Sequence, residues 1–281
     1  MGGLGSLIGV GGIGTMSAPD ILALDFDGVL CDGMAEYFET SRRTSARVWP
    51  GEPVPDDGLF PAFRRLRPVI MTGWEMPLLL RAIGHGRPEP DILRDWARVR
   101  DEEAGSEPHL REQLGTLLTK TLDGVRQEWI AVDRAGWIAS NTSYCTLEEL
   151  RRLVREPERC VLVTTKEGEF ARLILDEWRV KLADIQGKEA GTHKCDNLRT
   201  LIDAYTKARG RRPRIWFVED RFETLEHVTT HPDLGDVGLY LAAWGYNTPE
   251  TRAAARASSR VCLLDVDQFR QGLGAWPLKK S

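Results

Sequence analysis

A chain of 281 residues with 42% hydrophobic content carries enough apolar material for one large folded domain or two modest ones. Its 38 Lys and Arg against 42 Asp and Glu leave no electrostatic footprint for nucleic acid or for an anionic membrane, so neither is an expected partner. Five scattered cysteines (Cys31, Cys145, Cys160, Cys195 and Cys262) form no Cys-x-x-Cys pair, no apolar run approaches the roughly 18 residues of a membrane span, and the start lacks the basic region of a secretory signal, so a reducing, cytoplasmic setting is expected.

Residues 1–19 are glycine-rich, and Gly9-Val10-Gly11-Gly12-Ile13-Gly14 matches the dinucleotide fingerprint G-x-G-x-x-G letter for letter. No strand precedes it, no helix follows before Pro19, and no acidic residue closes a second strand where a ribose would need one. The segment reads as a flexible extension, with Met16 as a candidate internal start.

Ile21 to Leu24 is an apolar run too short for a helix, so it reads as a strand that places Asp25 at its carboxyl end, where open α/β sheets keep their chemistry. Asp25 and Asp27, two residues apart, project to the same side, and Gly28 lets the chain turn sharply after them. Such a pair suits a carboxylate nucleophile with a neighbouring general acid/base, provided a cation offsets their repulsion.

From Met34 the spacing turns helical, first to Trp49 and then near residues 61–66, 75–83, 89–103, 107–119 and 121–134, with no strand among them. Trp49, Trp74, Trp96, Trp129 and Trp137 are expected to fill the core of this segment, and Arg67 to Glu75, rich in breakers and polar groups, is the candidate substrate loop. Arg42, Arg43, Arg64 and Arg65 are interspersed with acids and read as a solvated face.

From Thr146, an N-cap with Glu149 at the third helical position, strands at 160–164, 183–186, 214–218, 237–242 and 261–264 alternate with helices. That alternation predicts parallel strands with crossover helices. The expected fold is α/β: a doubly wound, Rossmann-like parallel-sheet core from residues 20–33 and 146–281, with an all-helical cap domain at 34–145.

Asp25-Phe26-Asp27-Gly28-Val29-Leu30 resembles the first motif of the haloacid-dehalogenase superfamily of phosphohydrolases, and a helical cap inserted after the first strand is similar to that family's layout. The resemblance implies that Asp25 attacks phosphorus and Asp27 protonates the leaving oxygen. Cys160 to Thr164 resembles the second motif, so Thr164, with Thr165 next to it and Gly28 nearby, is the expected phosphate pocket. The third-motif lysine corresponds to Lys194 at a helix start or to Lys188 in the preceding loop; the usual pattern follows that lysine with proline, where Cys195 stands here. Ile215 to Asp220 resembles the fourth motif, which makes Asp220 the expected metal ligand and leaves Glu219 and Glu223 as supporting or alternative ones.

The implied cofactor is Mg²⁺, held by Asp25, the main-chain carbonyl of Asp27, Asp220 and Glu219. The implied activity is hydrolysis of a small phosphorylated metabolite through an aspartyl-phosphate. A phosphotransferase or sugar-phosphate mutase, or a regulatory protein that keeps the pocket without turnover, are the alternatives. His193, His227 and His231 show no metal-ligand spacing with a matching partner and read as surface residues. Oligomeric state and the identity of the metabolite have no signature in the sequence.

Overall fold

The computed structural model describes residues 18–105, 107–191 and 193–278. The Gly9–Gly14 match and Met16 lie outside these residues. Among the described residues eight strands run in chain order: β1 Ile21–Leu24, β2 Cys31–Asp32, β3 Thr142–Ser143, β4 Cys160–Val163, β5 Asp184–Gln186, β6 Ile215–Glu219, β7 Gly238–Ala242 and β8 Val261–Leu264. Six of them form a parallel sheet in the order β5-β4-β1-β6-β7-β8.

β1 is buried at every position because helices cover both faces of the sheet, which is why it reads as an unbroken apolar run. Its side chains alternate between two cores. Leu22 and Leu24 pack with Leu162, Val218 and Tyr240, whereas Ile21 and Ala23 pack with Val163, Phe217 and Leu239. Leu24 pairs with Leu162 on one side and Val218 on the other, so β1, β4 and β6 end nearly level. The strand order reverses beside β1, and the crevice beyond the carboxyl ends at such a switch point is where doubly wound sheets bind ligands.

Helices α1 Met34–Val48, α2 Phe60–Leu66, α3 Glu75–Gly84, α4 Glu89–Arg94, α5 Trp96–Ala104 and α6 Pro108–Ala139 lie between β2 and β3. Two expectations change here. The stretches 107–119 and 121–134 are one helix, because Lys120 and Thr121 carry no breaker; the chain departs from helical geometry later, at Asp133 (φ −147°, ψ 72°). The stretch 89–103 is instead split at Asp95 (φ −152°), whose carboxylate caps α5 by accepting from the Arg98 N–H.

A strand pair absent from the sequence reading also occurs. Cys31 pairs with Ser143 and Asp32 with Thr142, bringing together the points where the chain enters and leaves the helical segment. Two-residue strands are too short to display an alternating pattern.

The helical segment has its own core, in which Phe38, Phe63, Leu78, Leu79 and Leu118 surround Trp96, with Trp49 and Trp74 at its margin. Trp137, fully buried, and Trp129 depart from the expectation: they pack with the sheet-face cluster, because α6 runs long enough to deliver its end onto the sheet. The remaining helices are α7 Leu147–Leu153, α8 Gly168–Glu177, α9 Lys194–Arg209, α10 Phe222–Thr229, α11 Pro249–Ala257 and α12 Val266–Gln271. Thr146 and Glu149 form the expected reciprocal cap at the start of α7.

Candidate active site

Asp25 follows β1 directly, and Glu219 and Asp220 end β6 beside it. One carboxylate oxygen from each of the three lies within 4.8 Å of the others, and all three side chains are buried. Lys194, at the first position of α9, reaches this cluster with Nζ 2.8 Å from Asp25 Oδ1 and 3.3 Å from Glu219 Oε2, and it also donates to the Val163 carbonyl. Burial opposes the charge on Lys194, but Asp25 and Glu219 outweigh it and raise its pKa.

One ammonium does not balance three carboxylates. Burial pushes Asp25 up to about 7, with the charge on Glu219 adding to it and Lys194 opposing it. Glu219 is likewise pushed up to about 7 and Asp220 to about 6, in both cases chiefly by burial. Glu219 Oε2 is buried without a hydrogen bond, since its approach to Lys194 lacks hydrogen-bond geometry. Three crowded oxygen donors, one of them without a hydrogen bond, fit a hard divalent cation such as Mg²⁺.

Two glycines make room for this arrangement. Gly28 has φ +82°, and a Cβ there would stand 2.0 Å from Asp220 Oδ2; a Cβ at Gly245 would stand 2.3 Å from Asp220 Cβ. Gly28, expected in the phosphate pocket, thus stands against the metal-type acid Asp220. The Asp220 carboxylate is oriented by the Tyr246 N–H at 2.7 Å.

Asp27 points elsewhere. Its Oδ1 accepts from Lys166 Nζ at 3.3 Å, so any share it has in cation binding rests on its main-chain carbonyl, as the sequence resemblance implied. Lys166 is buried, lies over the Tyr37 ring at 5.0 Å, and stands 4.0 Å from Glu36. Glu36 is fully buried on α1 and accepts from Arg126 Nε of α6 at 2.8 Å and from the Thr40 hydroxyl at 2.7 Å. Burial works against an ionised Glu36, yet Arg126 and Lys166 outweigh it and hold the carboxyl below its usual range.

Sequence reading passed over Lys166, Tyr37, Glu36 and Arg126. The signal for Lys166 was present, a cation two residues beyond the strand-end Thr164. Glu36 and Arg126 are 90 residues apart and have no linear signature.

The phosphate-pocket expectations separate. Thr164 is buried, its N–H is spent on the Gln186 carbonyl, and its hydroxyl accepts from the Lys166 N–H at 3.2 Å. Thr165 is exposed and faces a cavity of about 700 Å³ that also takes in Asp25, Asp27 and Lys194. Lys188 borders the same cavity, but its ammonium pairs with Asp123 at 3.0 Å and Glu167 at 3.4 Å, so Lys194 is the lysine at the acid cluster.

The segment from Arg67 to Glu75 does border the cavity, through Arg67, Ile70, Met71, Thr72, Gly73 and Trp74. Arg67 is buried between the rings of Tyr37 (5.3 Å) and Tyr246 (4.5 Å). Arg221, one residue beyond the β6 acids, donates to the carbonyls of Pro68 at 2.7 Å and Ile70 at 2.5 Å, tying that loop to the core. Glu223 lines the cavity outside the acid cluster and pairs with Arg221 at 3.5 Å. Arg42 and Arg43 pair with Glu39, Arg64 with Asp32 and Arg65 with Glu89, which accounts for their charges.

His227 is exposed and His231 half-buried, but the two have a neighbour that the sequence reading did not pair them with. His227 and His231, four residues apart, bring their Nε2 atoms to 3.5 Å, and both lie with Cys195 in a second cluster of potential metal ligands. The partner is a cysteine more than thirty positions upstream, which linear spacing between histidines cannot reveal. His193 is exposed at the cap position of α9.

No protein-family model and no curated protein matches this sequence. Solved structures do resemble the fold. A predicted phosphatase from Clostridium acetobutylicum superposes with a TM-score of 0.53 at 14% identity, covering 91% of this chain and 98% of its own. A predicted phosphoglycolate phosphatase from Haemophilus somnus gives 0.51 at 15% identity over 83% and 88% of the two chains. A predicted haloacid-dehalogenase-like hydrolase from Bacteroides fragilis gives 0.52 at 17% identity over 90% and 100%. The doubly wound α/β fold expected from the alternation of strands and helices is the fold found, and these solved structures share it.

Proposed function

We propose that this chain is a divalent-cation-dependent phosphomonoester hydrolase working through an aspartyl-phosphate on Asp25. The observation that carries the reading is the placement of Asp25: at the carboxyl end of the central strand, 2.8 Å from the buried Lys194, with carboxylate oxygens of Glu219 and Asp220 within 4.8 Å. Asp27, on the same turn, is held apart from that cluster by Lys166. Two aspartates in different surroundings take different roles.

Asp25 attacks phosphorus while the P–O bond to the leaving group breaks, and Asp27 gives that oxygen its proton. Asp27 then takes a proton from the water that attacks the aspartyl-phosphate, which frees inorganic phosphate and regenerates Asp25. Lys194 keeps Asp25 oriented and offsets negative charge, and Thr165, which lines the cavity where Thr164 does not, borders the phosphoryl group. Asp25, Asp220, Glu219 and the Asp27 carbonyl would hold the cation, Mg²⁺ by donor type, which supplies charge neutralisation for carboxylates and phosphoryl oxygens.

The helical segment acts as the cap that shapes the leaving-group side through Arg67, Trp74 and their loop. A cavity of about 700 Å³ suits a small phosphorylated metabolite. No described helix is long and apolar enough to cross a membrane, and a cytoplasmic setting is part of this reading.

The test is hydrolysis of p-nitrophenyl phosphate with and without Mg²⁺, in the native chain and in Asp25→Asn. Turnover that requires the cation and vanishes in Asp25→Asn, with circular dichroism unchanged, is expected. Retained turnover in that variant would sink the assignment.

A further inference from the structure

Cys195 lies in the first turn of α9, His227 in the last turn of α10, and His231 two residues beyond that helix. We infer that these three side chains form a zinc site, chemically distinct from the carboxylate cluster nearby. Their ligand atoms lie within 4.8 Å of one another, and the two imidazole Nε2 atoms are 3.5 Å apart with rings at 85°. Two nitrogens bound to one tetrahedral zinc at about 2.1 Å stand roughly 3.4 Å from each other, so the histidine pair already has that spacing and the sulfur has to close by no more than about 1 Å.

A hydrogen bond between the imidazoles explains the histidines alone. It leaves unexplained a thiol within the same reach.

Donor chemistry separates the two sites. A thiolate with two imidazoles favours zinc and disfavours Mg²⁺, whereas the Asp25 cluster offers only hard oxygens. Cys195 and His227 border the cavity that holds Asp25 and Lys194, so three protein ligands leave a fourth zinc position for water or a solute from that cavity. Zinc on His231 Nε2 requires the proton on Nδ1, which now faces Arg199 Nη2 at 3.1 Å. Arg199 is held independently by Asp196 at 2.8 Å and Asp233 at 2.7 Å, so it can release Nδ1, and a carboxylate is the kind of acceptor a zinc-bound imidazole uses.

The experiment titrates the full chain with Co²⁺, a spectroscopic probe for zinc sites, in saturating Mg²⁺ to occupy the carboxylates. A thiolate-to-cobalt charge-transfer band and intense tetrahedral d–d bands are expected, and one equivalent of Zn²⁺ should abolish them. Cys195→Ser should lose the charge-transfer band. His227→Ala, an exposed position where folding is not at stake, should weaken zinc binding by about tenfold or more, since losing a ligand costs at least what losing its outer-shell partner does. Asp220→Asn should keep the band. No charge-transfer band in the native chain, or one that survives Cys195→Ser, overturns the site. The readout does not depend on turnover, so it stands or falls apart from the phosphatase reading.

Discussion

The ammonium of Lys166 sits 3.3 Å from the Asp27 carboxylate and 4.0 Å from the fully buried Glu36, joining the proposed general acid to the first helix of the insertion. The proton-transfer group is thereby positioned by a strand-end residue of the sheet and by the helices above it at once. Lys166→Met should lower kcat by about 10- to 100-fold with a smaller change in KM, because the lost interaction places a group needed in the transition state. Steady-state kinetics on p-nitrophenyl phosphate checks this; an unchanged kcat would show that Asp27 is held without Lys166.

Arg126 is the main counter-charge of Glu36. Arg126→Met leaves a carboxylate buried with Lys166 only 4.0 Å away, and a loss of about 3 kcal/mol is expected in urea unfolding. Adding Glu36→Gln should recover much of it, since the amide keeps an acceptor for Thr40 without the charge. If the double variant is no more stable than the single one, the cost lies in packing and not in the stranded charge.

The raised carboxyls make cation binding visible in stability. Asp25, Glu219 and Asp220 hold protons in the folded chain up to about pH 7, 7 and 6, well above where unfolded carboxylates lose theirs. Between about pH 4 and 7 the folded state binds more protons than the unfolded one, so this cluster makes the metal-free protein less stable as pH rises. A bound cation removes that cost. Mg²⁺ should therefore raise the melting temperature more at about pH 8 than at about pH 5, and Asp220→Asn should flatten the difference. An Mg²⁺ effect independent of pH would contradict the shifts.

Arg221 fastens the loop after α2 to the tip of β6 through the Pro68 and Ile70 carbonyls. Its removal releases the cavity wall without touching Asp25 or Asp27. Arg221→Ala should raise KM by about tenfold and change kcat less, the pattern of lost uniform binding. A fall in kcat at constant KM would instead place Arg221 in the chemical step.

Linear order carried the information where a single strand end contains the chemistry. Asp25, Asp27 and Asp220 follow apolar runs directly, and apolar runs bounded by turns are what a doubly covered parallel sheet requires. The alternation after Thr146 determined the sheet, and the helical spacing after Gly33 determined the character of the insertion. The choice between Lys194 at a helix start and Lys188 in the preceding loop was open in the sequence, because Cys195 stands where the resembled motif carries proline; only the tertiary structure puts one ammonium 2.8 Å from Asp25 and the other on Asp123.

The same holds for Glu36 with Arg126 and for Cys195 with His227 and His231. Their members lie on different elements, and the approach of one element to another is a property of packing that periodicity does not encode. Asp25 and Asp27 therefore pointed, from sequence alone, to the class of reaction proposed for this chain. What orients each of them and keeps it apart from the other, Lys194 for one and Lys166 for the other, was decided by the fold, because packing and charge act through space and not along the chain.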